Sequence, residues 1–371
     1  MNEKIAVALL FGGRGYESEV SVAGAKFLLS RLDLEKFSLV PVYITGSGEW
    51  KTVSEPHPAL PSEGGRCLED RAEEIITDLA LGRLPCVSLS PARRGGRSGL
   101  AFDGGFIPVD VVFPLLHGDF GEDGIIQGAL ENARLPFVGQ TTLTSAILSD
   151  KAYTKLVAEH LGIPTADWAL GIRGSKYYYL SKIRADAEKR LGYPLFIKPT
   201  GLGSSFGAGA AISPEGFDAM FGLAASLGNG RVLIERHVKP IKELECAYFS
   251  AGGKELFTNI GEITYGGEFY DYKAKYSADS SASVGLCHGL TEQIRDTILD
   301  YSRRLVDYLG IRDLCRIDFF LTEDGLILFN EINAMPGFTK SSLYPTLLSD
   351  AGIEPTELIS LLISEAYSRG A

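Results

Sequence analysis

The segment from Arg316 to Asn333 carries side chains whose types and spacing could hold a metal ion. Two of its acids, Asp318 and Glu331, flank Asp324-Gly325, a strong signal for a β-hairpin with a two-residue turn. With that turn, Asp318 lies directly opposite Glu331. Arg316 lies opposite Asn333 in the same register. Because side chains alternate along a strand, all four project from one face of the hairpin.

Two carboxylates that face each other across a hairpin repel, and a divalent cation between them removes the repulsion. The oxygen-only set of Asp318, Glu331 and Asn333 suits Mg²⁺, which keeps some water and takes further ligands from substrate phosphates. The alternative is a salt-bridged face on which Arg316 neutralises both acids. The hairpin therefore predicts a magnesium-dependent enzyme that uses ATP.

A glycine-rich loop, Gly201 to Gly209, follows Lys198-Pro199 at the end of a predicted strand. Glycines let a backbone approach phosphate oxygens, and the exposed N–H groups can then donate hydrogen bonds. The loop lacks the Gly-Lys-Ser/Thr of a P-loop and the spacing of a dinucleotide fingerprint. Alone, it fits a plain flexible turn equally well. Together with Lys151, Lys198 and the hairpin, it predicts a mobile lid over a triphosphate.

The composition predicts a soluble globular protein of two or three domains, since the chain has 371 residues, 45% of them hydrophobic and 22% charged. No apolar stretch reaches the roughly 20 residues of a membrane span. The net charge of −11 argues against nucleic acid or an anionic membrane as the main partner. Without a signal-peptide pattern, we expect a cytoplasmic protein. The five cysteines are scattered, which argues against a disulfide framework or zinc site.

Hydrophobic patterns predict the elements that position these groups. Strands are expected at 4–11, 39–44, 110–115, 194–199 and 232–235, and helices at about 18–32, 151–160 and 291–309. Ser18 or Ser21 is expected to cap the first helix, and Thr291 the last. Residues 51–104, with a helix near 70–82, are interpreted as an elaboration of the first domain. The first β-α-β unit would bind ligands at the carboxyl ends of its strands.

Six motif blocks carry a family resemblance: Gly12-Gly13 with Glu17 to Ser21; His117-Gly118 with Gly121 to Gly124 and Gln127-Gly128; Lys198-Pro199 with Gly203 to Ser205; Phe269 to Tyr276; Arg316 to Asp318; and Asn330 to Asn333 with Pro336-Gly337 and Ser341 to Leu343. Together they resemble the D-alanine–D-alanine ligase family of the ATP-grasp superfamily. The resemblance covers most of the chain and is weakest at 51–104.

The resemblance implies an α/β fold with α+β elements, in a three-domain ATP-grasp architecture whose N-terminal domain has an open parallel sheet. We expect a substrate-binding domain at 1–145, a central lid domain at 146–235 and a C-terminal domain with the metal hairpin at 236–371. Because relatives are commonly dimers, a homodimer is also expected.

The implied reaction has two steps. The carboxylate of one D-alanine attacks the γ-phosphate of ATP, which forms an acyl phosphate and releases ADP. The amine of a second D-alanine then attacks the acyl phosphate, and a tetrahedral intermediate collapses with loss of phosphate to the dipeptide, a peptidoglycan precursor. The implied cofactors are ATP and two Mg²⁺ or Mn²⁺ ions, held by Asp318, Glu331 and Asn333.

The family pattern also assigns residues to ATP. Lys151 and Lys198 would bind phosphates, and Glu243 would hold the ribose, with Glu245 as an alternative. The remaining ATP-binding residues implied by the resemblance are Ser205, Glu235, Arg236, Val238, Lys275 and Asn330, of which Glu235 to Val238 would meet the adenine through their backbone.

For the first D-alanine, the resemblance assigns the ammonium group to Glu17 and a bordering position to His117. Ser204 and Tyr276 would form a hydrogen-bonded chain with Glu17. Without the resemblance, Glu17 is an ordinary first-turn acid favoured by the helix dipole, and His117 is a strand-end histidine.

For the tetrahedral step, the resemblance implies that Arg316 and the backbone N–H of Gly337 stabilise the oxyanion. Ser342 and the Leu343 backbone would bind the carboxylate of the second D-alanine. Ser341-Ser342 could instead cap a helix, or serve both purposes.

Several alternatives remain open from sequence. The chain could join D-alanine to D-lactate or D-serine, although Tyr276 favours D-alanine as the second substrate, or it could be another carboxylate–amine ligase. A non-catalytic nucleotide-binding protein would not need Arg316, Ser342 and Glu17. A Rossmann-type dehydrogenase leaves the hairpin unexplained. Phe206 departs from the smaller aliphatic residue of the family lid, which bears on lid mobility.

Overall fold

The computed structural model describes residues 4–52, 85–91, 96–175, 179–227, 229–264 and 283–370, together with Thr77. The predicted site residues Lys275 and Tyr276 lie outside these ranges, as does the helix predicted near 70–82 apart from Thr77. The described strands form four sheets, and helices pack against them in a mixed α/β arrangement. None of the described helices is long and apolar enough to span a membrane.

The first elements build an open sheet and a small meander. In chain order they are β1 (Ile5–Gly12), α1 (Ser18–Arg31), β2 (Phe37–Ile44), β3 (Trp50–Thr52), β4 (Ser88–Ser90), β5 (Gly99–Phe102), β6 (Gly105–Pro108), β7 (Val111–Pro114) and α2 (Ile125–Asn132). The sheet order is β3-β2-β1-β7, and β1 runs parallel to both β2 and β7. The open parallel sheet expected near the N-terminus is therefore confirmed.

Both faces of β1 are buried, which explains its nearly continuous apolar sequence. Val7 and Leu9 belong to a core that α1 helps to cover. Ala8 and Leu10 belong to a second core, which the meander of β4, β5 and β6 covers. The described part of the 51–104 stretch thus packs as an elaboration of the first sheet.

Helix α1 begins without the serine cap that the sequence predicts. Glu17 occupies the N-cap position and makes no capping hydrogen bond. Ser21 instead lies on the buried face, where it accepts a hydrogen bond from Gly12 N at 2.9 Å and donates one to the Leu115 carbonyl. Ser21 therefore joins the end of β1 to the chain that follows β7, and the predicted cap is wrong.

The middle of the chain forms a second, antiparallel sheet. Its elements are α3 (Thr142–Ser149), α4 (Lys151–His160), β8 (Trp168–Ile172), α5 (Leu180–Arg190), β9 (Leu195–Pro199), β10 (Gly209–Ala211), α6 (Pro214–Ser226) and β11 (Arg231–Arg236), and the strand order is β10-β9-β11-β8. Leu195 and Ile197 pack in a core with α5 and α6. Because side chains alternate, Phe196 and Lys198 lie on the opposite face of this sheet.

The last part of the chain forms the largest sheet. Its elements are β12 (Lys242–Ala251), β13 (Lys254–Phe257), β14 (Gly261–Thr264), β15 (Ser283–Leu286), α7 (Glu292–Leu309), β16 (Asp313–Leu321), β17 (Ile327–Asn333), α8 (Leu343–Asp350) and α9 (Pro355–Ser368). The order is β15-β14-β12-β16-β17, with β13 paired to β12. Thr291 caps α7 by accepting from Ile294 N, as predicted, and Gly310 ends the helix in the left-handed conformation.

The C-terminal helix α9 returns to the first sheet. Leu358 and Leu362 share one buried core with Val7 and Leu9 of β1. An ion pair lies near this junction, because Arg369 donates to both oxygens of Asp313 at 2.7 Å each. Asp313 also accepts from Gly139 N at 2.7 Å and is 1% exposed. The first and third sheets are therefore joined by a shared core and a buried carboxylate.

Replacing Asp313 with asparagine is expected to lower the free energy of unfolding by about 2 kcal/mol, because the buried carboxylate loses its charge-assisted hydrogen bonds to Arg369 and to Gly139 N. Asparagine tolerates the left-handed backbone, φ 61°, that Asp313 adopts, so the effect reports lost charge rather than backbone strain. Urea unfolding measures it. The exposed pair of Arg304 and Asp300 gives a control, since Asp300→Asn should cost under about 1 kcal/mol. Equal losses of unfolding free energy in Asp313→Asn and Asp300→Asn would contradict a stabilising role for the buried carboxylate of Asp313.

Candidate active site

The hairpin of β16 and β17 places the predicted metal ligands on one face. Asp318 pairs with Glu331, and Arg316 pairs with Asn333, as the sequence predicts. Along β16, Arg316 and Asp318 are partly exposed while Ile317 between them is buried. Asn333 Nδ2 also donates a hydrogen bond to Asp318 Oδ2 at 3.0 Å. The shared face inferred from alternation is confirmed.

The predicted two-residue turn is wrong, but a bulge compensates for it. The strands pair only as far as Leu321 and Ile327, so the turn is longer. The register then shifts next to Asp318, which makes Asn330 an extra residue in β17. The bulge lets Asn330 line the same cavity as its neighbour Glu331, which strict alternation would forbid.

A third acid lies beside the hairpin pair. Glu245 in β12 pairs with Asp318, so Glu245, Asp318 and Glu331 lie on three neighbouring strands. Glu245 is 3% exposed, and its Oε2 lies 3.0 Å from Arg316 Nε. Sequence reasoning kept Glu245 only as an alternative ribose ligand. A sequence signal was available, because Glu243 and Glu245 are two acids at alternate positions of one strand and therefore project from the same face.

Two cations neutralise part of this acidic row. Arg316 donates from Nε and Nη2 to the two oxygens of Asp318, at 2.8 Å each. Lys151 Nζ lies 3.1 Å from Glu331 Oε2. Burial opposes the charge of Arg316, but Asp318 and Glu245 hold its pKa well above the usual value. Arg316 therefore neutralises Asp318, as the salt-bridged alternative expects. The counter-charge of Glu331 comes from Lys151 instead.

The donor set of the hairpin fits Mg²⁺. Asp318, Glu331 and Asn333 present two carboxylates and one amide on the same face. Within the described part of the chain, no group of three or more His, Cys, Asp or Glu side chains could hold a metal alone. An open set of oxygen ligands leaves positions for water and phosphate oxygens, as Mg²⁺ prefers.

A cavity of about 650 Å³ lies beside the hairpin, between the second and third sheets. The predicted site residues that line it are Lys151, Lys198, Ser204, Ser205, Glu235, Arg236, Val238, Glu243, Arg316, Asp318, Asn330 and Glu331. Phe196, Ile263 and Phe320 add apolar surface to its wall. The structure thus brings the glycine-rich loop, the hairpin and those predicted nucleotide residues that it describes to one cavity.

Glu17 contacts the glycine-rich loop, which lines this cavity. Ser204 Oγ donates a hydrogen bond to Glu17 Oε1, which links the loop to the first domain. A Cβ on Gly203 would lie 3.0 Å from Glu17 Oε2, so glycine permits this close approach. Ser204 and Ser205 have φ values of 50° and 57°, which non-glycine residues rarely adopt. Such local strain is common where a loop is shaped for binding.

Phe206 in the glycine-rich loop contacts the segment between β1 and α1. Its ring stacks on Tyr16 with centroids 4.4 Å apart and planes inclined by 19°. Aromatic pairs of this kind contribute about 0.5–1.5 kcal/mol beyond the area they bury. The aromatic stack and the Ser204–Glu17 hydrogen bond therefore both hold this loop against the chain between β1 and α1.

His117 is buried at 8% exposure, and its Nε2 has no hydrogen-bond partner among the described residues. Burial lowers the pKa of His117, Glu17 partly offsets this, and Arg316 lowers the pKa further. A buried polar atom without a partner is costly, so a ligand that hydrogen-bonds to Nε2 would relieve that cost.

The last of the predicted site residues, Gly337, Ser342 and Leu343, lie between β17 and the start of α8. Gly337 lies close to Ser342, since a Cβ on Gly337 would lie 2.9 Å from Ser342 Oγ. Ser342 occupies the N-cap position of α8, but its side chain accepts from Thr339 N instead of capping the helix. Leu343 is the first residue of α8, where free backbone N–H groups can bind an anion. The capping alternative for Ser342 is therefore wrong.

Glu122 links this segment to the first domain, a role that sequence reasoning missed although the residue lies in a quoted motif. Its two oxygens accept from Gly118 N at 2.9 Å and from Met335 N at 2.8 Å. Gly118 follows His117, and Met335 lies near Gly337. Burial raises the pKa of Glu122 to about 7, although both backbone N–H groups lower it.

Replacing Glu122 with glutamine is expected to flatten the pH dependence of stability between pH 4.5 and about 7. Because folding raises this pKa, the folded state keeps a proton that the unfolded state releases. The wild type therefore loses about 3 kcal/mol of stability as the pH rises through this interval, and no more above it. Urea unfolding at several pH values measures the slope. The exposed Glu323→Gln serves as the control, and equal slopes in all three proteins would contradict the prediction.

Two family models match the chain. One is described as "D-ala D-ala ligase N-terminus" and matches residues 6–140, and the other, "D-ala D-ala ligase C-terminus", matches residues 157–364. The chain belongs to the D-alanine–D-alanine ligase family. A D-alanine–D-alanine ligase from Ruminiclostridium cellulolyticum is 34% identical over 369 residues, which cover 99% of this chain and 96% of the relative.

Solved structures of the D-alanine–D-alanine ligase family share the fold. The enzyme from Coxiella burnetii matches with a TM-score of 0.82 at 26% identity, covering 99% of this chain and 95% of its own. A D-Ala:D-Ser ligase from Enterococcus faecalis matches with a TM-score of 0.82 at 30% identity, and the match covers 98% of this chain and 100% of that ligase. The family and the ATP-grasp fold expected from the sequence motifs are thereby confirmed.

Proposed function

We propose that this chain ligates two D-alanines to D-alanyl-D-alanine at the expense of ATP. The observation that carries the proposal is the convergence, at one cavity, of two lysines, an oxygen-donor hairpin and Arg316, with Glu17 joined to it through Ser204. A carboxylate–amine ligase needs all of these parts: phosphate binding, charge neutralisation, an oxyanion donor and an acid for an ammonium group.

ATP occupies the cavity between the second and third sheets in this proposal. Lys151 and Lys198 bind its phosphates, aided by the backbone around Ser205 and by Asn330. The backbone of Glu235, Arg236 and Val238 meets the adenine, Glu243 holds the ribose, and Lys275 adds a further cation at the phosphates. The apolar wall of Phe196, Ile263 and Phe320 suits a purine ring.

Asp318, Glu331 and Asn333 would hold the two Mg²⁺ or Mn²⁺ ions. When bound, the metal neutralises charge that develops during phosphoryl transfer. The chain's own part is to align its oxygens on one rigid hairpin and to keep Lys151 beside Glu331. Positioning and charge supply most of the catalysis in such reactions.

The first D-alanine lies between the cavity and the first domain. Glu17 binds its ammonium group, His117 offers the buried Nε2 beside it, and Ser204 and Tyr276 extend the hydrogen-bonded chain from Glu17. Arg316 and the Gly337 N–H donate to the oxyanion of the tetrahedral intermediate, where charge develops.

The second D-alanine binds with its carboxylate at the start of α8. Ser342 Oγ and the Leu343 N–H donate to the carboxylate, which also gains from the helix dipole. Glu122 supports both substrate subsites indirectly, because it bridges Gly118 and Met335.

The chain is organised as domains at 1–145, 146–235 and 236–371, acts as a homodimer in the cytoplasm, and binds neither nucleic acid nor membrane as its main partner. Its product is a precursor for peptidoglycan.

Tyr276→Phe is expected to shift the second substrate from D-alanine toward D-lactate, because it removes a hydroxyl from the hydrogen-bonded chain with Glu17. The change in the ratio of depsipeptide to dipeptide is expected to be at least about tenfold, the worth of one hydrogen bond to a charged group. Competition between D-alanine and D-lactate, read by mass spectrometry, measures it. An unchanged ratio would rule out this role.

Product identification tests the proposed function itself. The protein is incubated with ATP and Mg²⁺, and with D-alanine alone or mixed with D-serine or D-lactate. D-alanyl-D-alanine is expected as the main product from every mixture at neutral pH. A mixed product in excess would favour the D-serine or D-lactate alternative, and the absence of any ligated product would defeat the proposal.

A further inference from the structure

A buried lysine stands behind the nucleotide residues. Lys155 on α4 is 1% exposed and is not among the described residues that line the cavity. Its Nζ lies 2.7 Å from Glu235 Oε1. The other oxygen of Glu235 lies 2.8 Å from Lys198 Nζ. One carboxylate thus bridges a lysine that faces the cavity and a lysine that does not.

The bridge follows from the secondary structure. Lys151 and Lys155 are one helical turn apart on α4, so both side chains reach toward the second and third sheets. Lys151 meets Glu331, and Lys155 meets Glu235. Glu235 and Phe196 pair across β11 and β9, on the face of the second sheet that also carries Lys198.

The charge balance of this trio depends on Lys155. Burial opposes ionisation of Glu235, but Lys155 and Lys198 lower its pKa to about 2, so it carries a full negative charge. Burial lowers the pKa of Lys155, whereas the adjacent Glu235 carboxylate raises it. With both lysines protonated, the trio has a net positive charge. Without Lys155, Glu235 and Lys198 would form a neutral buried pair, and Lys198 would have to break that pair to bind a phosphate.

We infer that Lys155 is a positioning residue that supplies the counter-charge of Glu235 and so leaves the charge of Lys198 available to the phosphates of ATP. The inference rests on the proposed function, because it takes Lys198 to be a phosphate ligand. It adds a residue that makes no contact with substrate and acts through Glu235.

Lys155→Met tests the inference through a difference between two substrates. The KM for ATP is expected to rise by at least about tenfold, the worth of a hydrogen bond to a charged group. The KM for D-alanine should change by less than about twofold, since D-alanine binds elsewhere. A lysine that served only to stabilise the fold would reduce the amount of active protein and leave both KM values unchanged.

The double variant Lys155→Met/Glu235→Gln gives the sharper test. It removes the buried carboxylate together with its counter-charge, which restores the net positive charge of the trio. The KM for ATP is therefore expected to fall back toward the wild-type value from that of Lys155→Met. Because glutamine keeps the shape of Glu235 and Lys198 Nζ keeps its hydrogen bond to Asn330 Oδ1 at 3.2 Å, the double variant also covers the case in which Lys155→Met fails to fold: an ATP KM far above wild type in the double variant would overturn the inference.

Lys182→Met, at an exposed lysine of α5, is the matched control and should behave as wild type. If the wild type forms no dipeptide, the proposed function fails. If the wild type is active but Lys155→Met has an unchanged KM for ATP, or the second substitution brings no recovery, the role of Lys155 fails alone.

Discussion

Replacing Arg316 with lysine is expected to lower kcat by about 100- to 1,000-fold, the range found when one oxyanion donor is removed. Lysine keeps the positive charge that Asp318 and Glu245 require, so the protein should fold. It loses the planar fork that now donates two hydrogen bonds to Asp318 and approaches Glu245 at 3.0 Å. Steady-state kinetics with saturating ATP and D-alanine measure the effect.

The contrast between kcat and KM makes the Arg316 prediction specific. An oxyanion forms only in the tetrahedral step, so the KM for ATP should change much less than kcat. Arg295→Lys, at an exposed arginine of α7, is the control and should leave kcat within about twofold, as expected of a surface change. A variant at position 316 with wild-type kcat would show that Arg316 serves only to neutralise the neighbouring acids.

Replacing Glu331 with glutamine is expected to lower kcat/KM for ATP by about 100-fold or more, because metal charge stabilisation contributes several kcal/mol to phosphoryl transfer. The Mg²⁺ concentration needed for half-maximal activity should rise as well. Glutamine keeps the shape of the side chain, so the variant loses the charge of one metal ligand without opening a cavity. Lys151 also loses the counter-charge that lies 3.1 Å away.

The same hairpin provides the control for Glu331. Glu323 lies in the exposed turn between β16 and β17, and Glu323→Gln should leave the Mg²⁺ titration unchanged. Titrations of activity with Mg²⁺ and with Mn²⁺ compare the two variants. Superimposable Mg²⁺ curves for wild type and Glu331→Gln would contradict the placement of the metal on this face.

The hairpin shows how far local sequence rules reach. Alternation and an Asp-Gly turn signal predicted the pairs Asp318–Glu331 and Arg316–Asn333, and both pairs form. The turn length was wrong, yet the pairs are right, because the bulge at Asn330 offsets the longer turn. A bulge depends on how the strand packs against its neighbours, so no local pattern announced it.

Residues that act through partners distant in sequence were beyond the sequence alone. Glu245 joins the acidic row only because β12 pairs with β16, and Lys155 meets Glu235 only because α4 packs near β11. Glu122 bridges two segments more than 200 residues apart in sequence, since it contacts Met335. Such contacts depend on tertiary packing, which periodicity does not encode.

The helix caps show the same difference between local contacts, which the sequence predicts, and tertiary contacts, which it does not. Thr291 caps α7 because that helix end is exposed and its cap is local. Ser21 does not cap α1, because its hydroxyl is taken by Gly12 N and the Leu115 carbonyl in a buried site. The described residues that the family resemblance assigned to ATP do line the cavity, which local rules could not have established for Glu243 or Val238.

The most direct test of the central claim is phosphate release from ATP. We expect release that requires both D-alanine and Mg²⁺, with one phosphate formed for each dipeptide. L-alanine should give little stimulation. ATP hydrolysis that is independent of D-alanine, or no hydrolysis with D-alanine and Mg²⁺ present, would contradict the account of this cavity as the site of D-alanine ligation.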